Sequence, residues 1–341
     1  MVKPSLNSKP DALFLGKLER EYLINAQKQV FIDQPGGNLL YAVAGFHLWK
    51  KRAGLLSRVG ADYPTGWLGE FEEKGIDTSG VIKVSEDVDT RTFTVYGDFE
   101  QARHDQPIKH FADLGLPFPK SLLGYEGAKQ SLDSRKKRAA LSLRENDIGE
   151  NYAGVQAAHL CSLDYLSHNL MPPALRAKGV RMMTMDAGAG YMHPDFWNEL
   201  PNLLSGLDAF LIAEEELRVV FGQRSDDIWE MAERMASFNC RAIVIKRGSR
   251  GAFLFDGDAK KRYRLPAYPS QAKDWTGGSS SYSGGFLAGL QESKDVLRAC
   301  AYGGATLSLA SEGSGAFYVL GSLKGLAESR MNSISQGAQQ V

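Results

Sequence analysis

The chain has 341 residues, of which 43% are hydrophobic, and this is enough to bury the core of one large domain. Lysine plus arginine equals aspartate plus glutamate at 40 each, so net charge gives no reason to expect binding to nucleic acid or to an acidic membrane. The three cysteines lie far apart, and no apolar run approaches the ~20 residues of a membrane span. These features predict a soluble protein of the reducing cytoplasm.

Short apolar runs alternate with amphipathic segments, which predicts an α/β fold with a mostly parallel sheet covered on both faces. The predicted buried strands, in chain order, are 12–15, 54–59, 157–163, 181–186, 209–212, 242–246 and 252–255. The predicted helices are 38–51, 66–74, 226–238 and 281–292. One domain over residues 1–330 is therefore expected, followed by a flexible tail, 331–341, rich in serine, glutamine and glycine.

Two segments depart from this alternation. Residues 88–99 contain an alternating, β-branched run that is typical of an exposed β element such as a lid. Residues 101–152 hold three prolines and the basic run 135–138, and we interpret them as an inserted loop and helix with a solvated basic face. The alternative is an insertion that binds a partner or a phosphate group. A nucleic-acid-binding role would depend on this basic run alone.

The most informative stretch is DWTGGSSSYSGGF at 274–286, a glycine-rich turn that opens a helix. Such a turn leaves backbone N–H groups unpaired and directed at an anion. The stretch resembles the C-terminal signature D-T-T-G-A-G-D-x-F-x-G-G of the ribokinase-like (PfkB-type) carbohydrate kinases. The matching residues are Asp274, Thr276, Gly277, Gly284 and Gly285.

The resemblance implies a catalytic site around the start of that helix. Ser280 stands where the family carries its catalytic aspartate, and a neutral serine hydroxyl is a poor base. Loss of a general base typically costs ~10²–10⁴ in rate, although phosphoryl transfer depends mainly on positioning and electrostatic stabilisation. The backbone of Gly277, Gly278 and Ser279 is the expected anion hole. Ser279 replaces a glycine, and its Cβ is expected to narrow that hole.

Two further segments resemble parts of the family that bind the sugar. The stretch QPGGNLLYAVA resembles the first signature, which implies substrate contacts at Gly36, Gly37, Asn38 and Tyr41. Tyr41 replaces the usual asparagine, and a plain helix start with a packed tyrosine is the alternative. Glu21 best matches the sugar-binding aspartate, with a surface charge as the alternative. The small projecting sheet of the family, which covers the sugar, corresponds to about 17–35 and 88–100.

Two motifs resemble the parts of the family that bind the nucleotide. The turn KRGSRG resembles K-x-G-x-x-G and implies nucleotide contacts from Lys246, Gly248 and Gly251, unless it is an ordinary hairpin. Asp274 and Thr276 complete the nucleotide-binding set. In a third match, Glu216 takes the place of a glutamate that organises Mg²⁺ and phosphate. Ala213 replaces the asparagine of that motif, and its side chain can neither donate nor coordinate.

The resemblance implies an ATP-dependent, Mg²⁺-dependent kinase that phosphorylates a hydroxymethyl group of a sugar or nucleoside. Joint departures at Tyr41, Ala213, Ser279 and Ser280 predict weak or lost turnover, and they fit natural divergence better than an engineered knockout. The alternative is a catalytically silent relative, a pseudokinase that binds a nucleotide or sugar or acts as a scaffold. Lid sheets in the family often pair between subunits, so a homodimer through the lid is expected.

Overall fold

The computed structural model describes residues 9–97, 101–127 and 131–341. Its strands are β1 (Ala12–Leu15), β2 (Glu19–Ile24), β3 (Val30–Gly36), β4 (Ala53–Val59), β5 (Ile76–Lys83), β6 (Arg91–Tyr96), β7 (Ala102–Arg103), β8 (Ala157–Leu160), β9 (Met182–Asp186), β10 (Ala209–Ala213), β11 (Ala242–Lys246), β12 (Ala252–Asp256), β13 (Lys261–Leu265) and β14 (Gln339–Gln340). Its helices are α1 (Asn38–His47), α2 (Thr65–Glu73), α3 (Pro107–Asp113), α4 (Tyr165–Ala177), α5 (Leu200–Leu204), α6 (Glu214–Phe221), α7 (Ile228–Ala236), α8 (Gly278–Ser293), α9 (Val296–Ala310) and α10 (Lys324–Gln336).

One large sheet organises the fold, with the strand order β14-β13-β12-β11-β10-β9-β8-β1-β4-β5. The seven strands from β11 to β5 pair in parallel, and β12, β13 and β14 extend the sheet antiparallel. The carboxyl ends of the parallel strands therefore meet at one edge, where the loops that follow them come together. This arrangement confirms the predicted α/β fold.

A separate hydrophobic core lies on each face of the large sheet. Phe14 of β1 packs with α1, α8, α9 and α10 on one face, whereas its neighbours Leu13 and Leu15 pack with α4 to α7 on the other. Successive side chains of a strand point to opposite faces, so a continuous apolar run is what a doubly covered strand requires. The strands were predictable because they carry this pattern.

A second, four-stranded sheet has the order β3-β2-β6-β7 and contains both segments predicted to form the lid. Phe93 of this sheet packs with Phe111 of α3 and with Leu122, so the first part of the predicted insertion lies against the sheet. Residues 98–100 of the predicted lid, 128–130 of the predicted insertion and the amino-terminal residues 1–8 lie outside the described residues.

The basic run 135–138 is partly engaged by its own chain. The guanidinium of Arg135 lies 3.9 Å from the ring centroid of Phe196 and 2.5 Å from the Glu199 carboxylate. Arg138 forms an ion pair with Glu145 at 2.9 Å. Two of the four basic side chains therefore have intramolecular partners, which weakens the interpretation of this run as a phosphate- or nucleic-acid-binding patch.

Residues 331–341, predicted to form a flexible tail, instead continue α10 to Gln336 and then add β14 to the edge of the large sheet. Met331 and Ile334 are buried in the core on that side, and this apolar contact explains why the serine-rich composition did not predict the structure. Within the described part of the chain, no helix combines the length and the apolar character that crossing a membrane requires.

Candidate functional site

Close contact between α1 and α8 positions the predicted anion hole. A Cβ atom at Gly284 would overlap the carbonyl oxygen of Ala42, and one at Gly45 would overlap the carbonyl oxygen of Ser281. Glycine is therefore needed at both positions for the two backbones to approach this closely. The helix that carries Tyr41 is thereby fixed beside the start of the helix that carries Ser280.

The loop before α8 forms an open helix N-terminus. Gly277 precedes the helix with φ +67°, a conformation that glycine adopts without strain, and Asp274 holds the loop by accepting a hydrogen bond from the N–H of Thr276 at 2.8 Å. Among the described residues, no backbone carbonyl accepts from the N–H groups of Ser279 and Ser280. Ser279 is exposed and Ser280 is half-buried, so these donors are accessible to an anion.

A cavity of about 1000 Å³ lies between the small sheet and this helix N-terminus. The predicted site residues that line it are Glu21, Asn38, Tyr41, Thr276, Gly277, Ser279 and Ser280. The structure thus brings together residues from three separate segments of the sequence.

Glu21 and Tyr41 are hydrogen-bonded to each other inside this cavity. One carboxylate oxygen of Glu21 accepts from the N–H of Gly37 at 2.9 Å, and the other accepts from the Tyr41 hydroxyl at 2.8 Å. Burial raises the pKa of the Glu21 carboxyl to about 8, against the opposing effect of both hydrogen bonds. The ring of Tyr41 lies directly over Gly277, where a Cβ would collide with it.

Two other predicted substrate residues have structural partners. The Asn38 side chain accepts from the N–H of Lys17 at 2.9 Å and donates to the carbonyl of Ser162 at 2.6 Å. Gly36 lies beneath the Glu21 side chain, which occupies the space where its Cβ would be. Both residues shape the wall around Glu21.

Sequence reasoning missed the opposite wall of the cavity. It is formed by the first part of the predicted insertion, with Arg103, His104, Asp105, Tyr125 and Glu126 among the lining residues. No motif marks them. For Arg103, His104 and Asp105, the one available signal was their position a few residues after the predicted lid segment 88–100.

A second, more apolar cavity of about 310 Å³ lies on the other side of the loop. Gly248 and Gly251, predicted to lie by the nucleotide, line it together with Tyr268, Tyr282 and Leu307. The hydroxyl of Tyr282 is buried, with the thiol of Cys300 as its neighbour. Trp275 borders both cavities, so the loop separates one cavity from the other.

Lys246 lies beneath the first turn of α8 and does not line either cavity. Its ammonium group donates to Asp186 Oδ1 at 2.7 Å and lies 3.5 Å from the carbonyl oxygen of Ser279. Ser283 donates to the same Asp186 oxygen at 2.7 Å, and His159 Nε2 lies 3.3 Å from the other one. Burial opposes ionisation of Asp186, but Lys246 and His159 outweigh it and hold its pKa well below the usual range. Asp186, His159 and Ser283 were not predicted as site residues.

Glu216, the predicted metal residue, stabilises the start of α6. Its carboxylate accepts from the N–H of Ala213 at 3.1 Å and so caps α6, and burial raises its pKa. The described residues contain no group of three or more histidine, cysteine, aspartate or glutamate side chains arranged to hold a metal ion. A Mg²⁺ ion here would therefore take most of its ligands from phosphate oxygens and water, which is how Mg²⁺ is commonly bound at nucleotide sites.

Comparison with known proteins identifies the family of this chain. The pfkB family carbohydrate kinase profile matches residues 144–319, more than half of the chain. A cytidine kinase of Thermococcus kodakarensis is 23% identical over 267 residues, which cover 78% of this chain and 83% of that protein. A chain from Escherichia coli, solved in complex with ATP and Mg²⁺, superposes with a TM-score of 0.69 at 16% identity, covering 96% of this chain and 99% of the other. A ribokinase from Thermotoga maritima superposes with a TM-score of 0.63 at 17% identity, covering 94% and 99%. The chain belongs to the pfkB family of carbohydrate kinases.

Proposed function

We propose that this protein transfers the γ-phosphate of ATP to a hydroxymethyl group of a sugar or nucleoside, with a low rate because Ser280 replaces the base. One observation carries the proposal. The loop that opens α8 lies between two cavities, one of about 1000 Å³ that is lined by Ser279 and Ser280, and one of about 310 Å³ that shares Trp275 with it. Transfer between two bound molecules requires an anion-binding turn between two such spaces.

In this proposal the smaller cavity takes the nucleobase, and Gly248 and Gly251 lie beside the nucleotide. The N–H groups of Ser279 and Ser280 bind phosphate oxygens, assisted by the positive end of α8. Asp274, almost fully buried, keeps the Thr276 side of the loop in place. Mg²⁺ near Glu216 would neutralise charge on the nucleotide phosphates. The buried, partly apolar lining around Tyr268 and Tyr282 suits a planar base.

The larger cavity takes the acceptor. Its polar groups near the turn are Glu21, Tyr41 and Ser280, which can bind hydroxyl groups. Its volume accommodates a sugar or a nucleoside, and the relatives include a cytidine kinase and a ribokinase. We therefore propose an alcohol acceptor from either class.

A second candidate function is a catalytically silent pseudokinase that binds a nucleotide or sugar. The Tyr41 ring favours this function, because it covers Gly277 on the acceptor side of the turn. Ser279 adds a side chain to the same surface. These two residues leave less room beside the expected anion hole than a glycine and an asparagine would.

Two properties of the protein as a whole belong to the same proposal. A cytoplasmic location is supported by three cysteines that are all buried and unpaired within the described residues.

A homodimer through the small sheet is supported by its edge strand β3, on which Ile32 is 51% exposed. Sedimentation of the wild type beside an Ile32→Asp variant tests the dimer, which the charge should dissociate.

The function is tested by calorimetry with ATP and by transfer of labelled γ-phosphate to a panel of sugars and nucleosides. We expect ATP to bind, slow transfer to at least one acceptor, and a rate at least ten times higher for Ser280→Asp at neutral pH. Ser85→Asp adds the same charge on an exposed loop and should change nothing. Absence of ATP binding would refute the kinase, and absence of both ATP and sugar binding would refute both candidates. ATP binding without transfer in either protein would favour the silent one.

A further inference from the structure

We propose that Tyr41 and Glu21 replace the missing aspartate as the proton acceptor of this kinase, a role that rests on the proposed phosphoryl transfer. The Tyr41 hydroxyl accepts the proton of the attacking substrate hydroxyl and passes its own proton to the Glu21 carboxylate. The two residues are catalytic in this proposal because Tyr41 contacts the reacting hydroxyl and Glu21 receives the proton.

The geometry provides a continuous path for this proton. The Tyr41 ring lies over Gly277 at the anion hole, and its hydroxyl donates to Glu21 at 2.8 Å. Because that O–H is directed at the carboxylate, the oxygen lone pairs of Tyr41 remain available to a substrate hydroxyl. Both residues line the cavity that Ser280 also lines. A substrate oxygen in this cavity can therefore contact Tyr41 while it faces the turn.

Two other carboxylates near the site, those of Asp186 and Asp105, are less suited to the role. Asp186 is held by Lys246 and Ser283 and does not line the cavity. Asp105 lies on the opposite wall and pairs with Arg103 at 3.3 Å. Glu21 is joined through Tyr41 to the turn itself, and this connection distinguishes it from the other two.

The transfer balances without any further reactant. The substrate oxygen forms a bond to the γ-phosphorus as the bond from that phosphorus to the β,γ-bridging oxygen breaks and ADP leaves. The substrate proton moves to Tyr41 Oη, and the phenolic proton moves to Glu21. Glu21 then returns its proton to solvent through the open cavity.

The ionisation of Glu21 gives the proposal a distinct signature. Burial, assisted by the carboxylates of Glu19 and Asp274, raises its pKa to about 8. The uncharged groups that face it are the N–H of Gly37 and the phenols of Tyr41, Tyr63 and Tyr96. Because Glu21 must be ionised to accept a proton, the rate should rise with pH and reach half of its maximum near pH 8.

The test is kcat between pH 6 and 9.5, measured with the best acceptor, for the wild type and four variants. Glu21→Gln keeps the size of the side chain, and we expect it to lower kcat ~10²–10⁴-fold and to abolish the rise near pH 8. Tyr41→Phe keeps the ring over Gly277 but removes the relay and a hydrogen bond that lowers the Glu21 pKa. It should lower kcat at least tenfold and move the rise to higher pH. Ser280→Asp should raise kcat at pH 6 above that of the wild type.

Tyr63→Phe is the matched control, because it removes a buried phenol hydroxyl close to Glu21 that does not line the cavity. It should leave kcat and the pH profile unchanged. Infrared titration gives a readout that is independent of turnover. The wild type should lose a protonated carboxyl band near pH 8, and Glu21→Gln should lack this change. ATP binding by each variant confirms folding.

Two results would overturn the proposal: a Glu21→Gln variant within threefold of the wild-type kcat at pH 8.5, or a pH profile that this variant leaves intact. A wild type that transfers no phosphate would instead refute the proposed function itself.

Discussion

The ammonium group of Lys246 lies 2.7 Å from Asp186 Oδ1, and both side chains are almost fully buried beneath the first turn of α8. Asp186 ends β9 and Lys246 ends β11, the two strands that flank β10 in the sheet. Their pairing neutralises a carboxylate that would otherwise lie as a buried charge without a cationic partner close to the start of α8.

Replacement of Lys246 should therefore destabilise the protein strongly. Lys246→Met leaves Asp186 as an uncompensated buried charge, and we expect a loss of on the order of 3–5 kcal/mol in the free energy of unfolding. Lys50→Met is the control, since it breaks a partly exposed pair with Glu292 and should cost less than about 1 kcal/mol. Urea unfolding of both variants measures the difference, and equal losses would contradict the assigned role of burial.

The contact between α1 and α8 can be tested with two glycines inside helices. Gly284→Ala would place its Cβ on the Ala42 carbonyl, and we expect a loss on the order of 3 kcal/mol. Gly69→Ala in α2 meets nothing within 4 Å and should gain about 0.5–1 kcal/mol, because alanine favours the helix. Thermal unfolding should move the two variants in opposite directions. A shift of the same sign in both would refute the close packing.

Glu21 should make the protein less stable at alkaline pH. Its pKa is raised from 4.5 to about 8, so between these values the folded protein keeps a proton that the unfolded chain has released. Stability is therefore lost as pH rises through about 8. Glu21→Gln should match the wild type at pH 5 and exceed it at pH 9 by on the order of 3–5 kcal/mol. Parallel stability curves for the two proteins would show that Glu21 titrates normally.

His168 should have the opposite effect at acidic pH. Burial lowers its pKa to about 4, and its ring is hydrogen-bonded to the Tyr191 hydroxyl and the Cys161 carbonyl. As pH falls from about 6.5 to 4, the unfolded chain takes up a proton that the folded protein does not, so stability falls. His168→Gln should be less stable at pH 7 but lose less between pH 7 and 4. An unchanged slope would contradict this prediction.

Local patterns predicted most of the scaffold. The strands 12–15 and 242–246 were predicted with the bounds they have, because a strand buried on both faces is a continuous apolar run. The start of α8 was predicted three residues late. The sequence pattern placed both Gly277 and Gly278 in the turn before the helix. In the structure α8 begins at Gly278, directly after Gly277, which has a left-handed conformation.

Positions in the candidate site were predictable where one segment carries a recognisable motif. Gly277 and Glu21 line the larger cavity, and Gly248 and Gly251 line the smaller one. The buried partners of Lys246 were missed because Asp186 and Ser283 are brought to it from distant segments. The cavity wall around Arg103 was missed for the same reason, since a contact between remote segments leaves no local period or spacing.

The glycine contact between α1 and α8 has a consequence for how this protein can diverge. Since the two backbones touch, neither helix can slide along the other, and main-chain atoms fix where Tyr41 lies relative to the start of α8. Side chains that line the larger cavity, such as those of Tyr41 and Ser280, can then be exchanged without moving the two helices that carry them. Point substitutions can therefore change the chemistry of this cavity while the distance between α1 and the start of α8 stays constant.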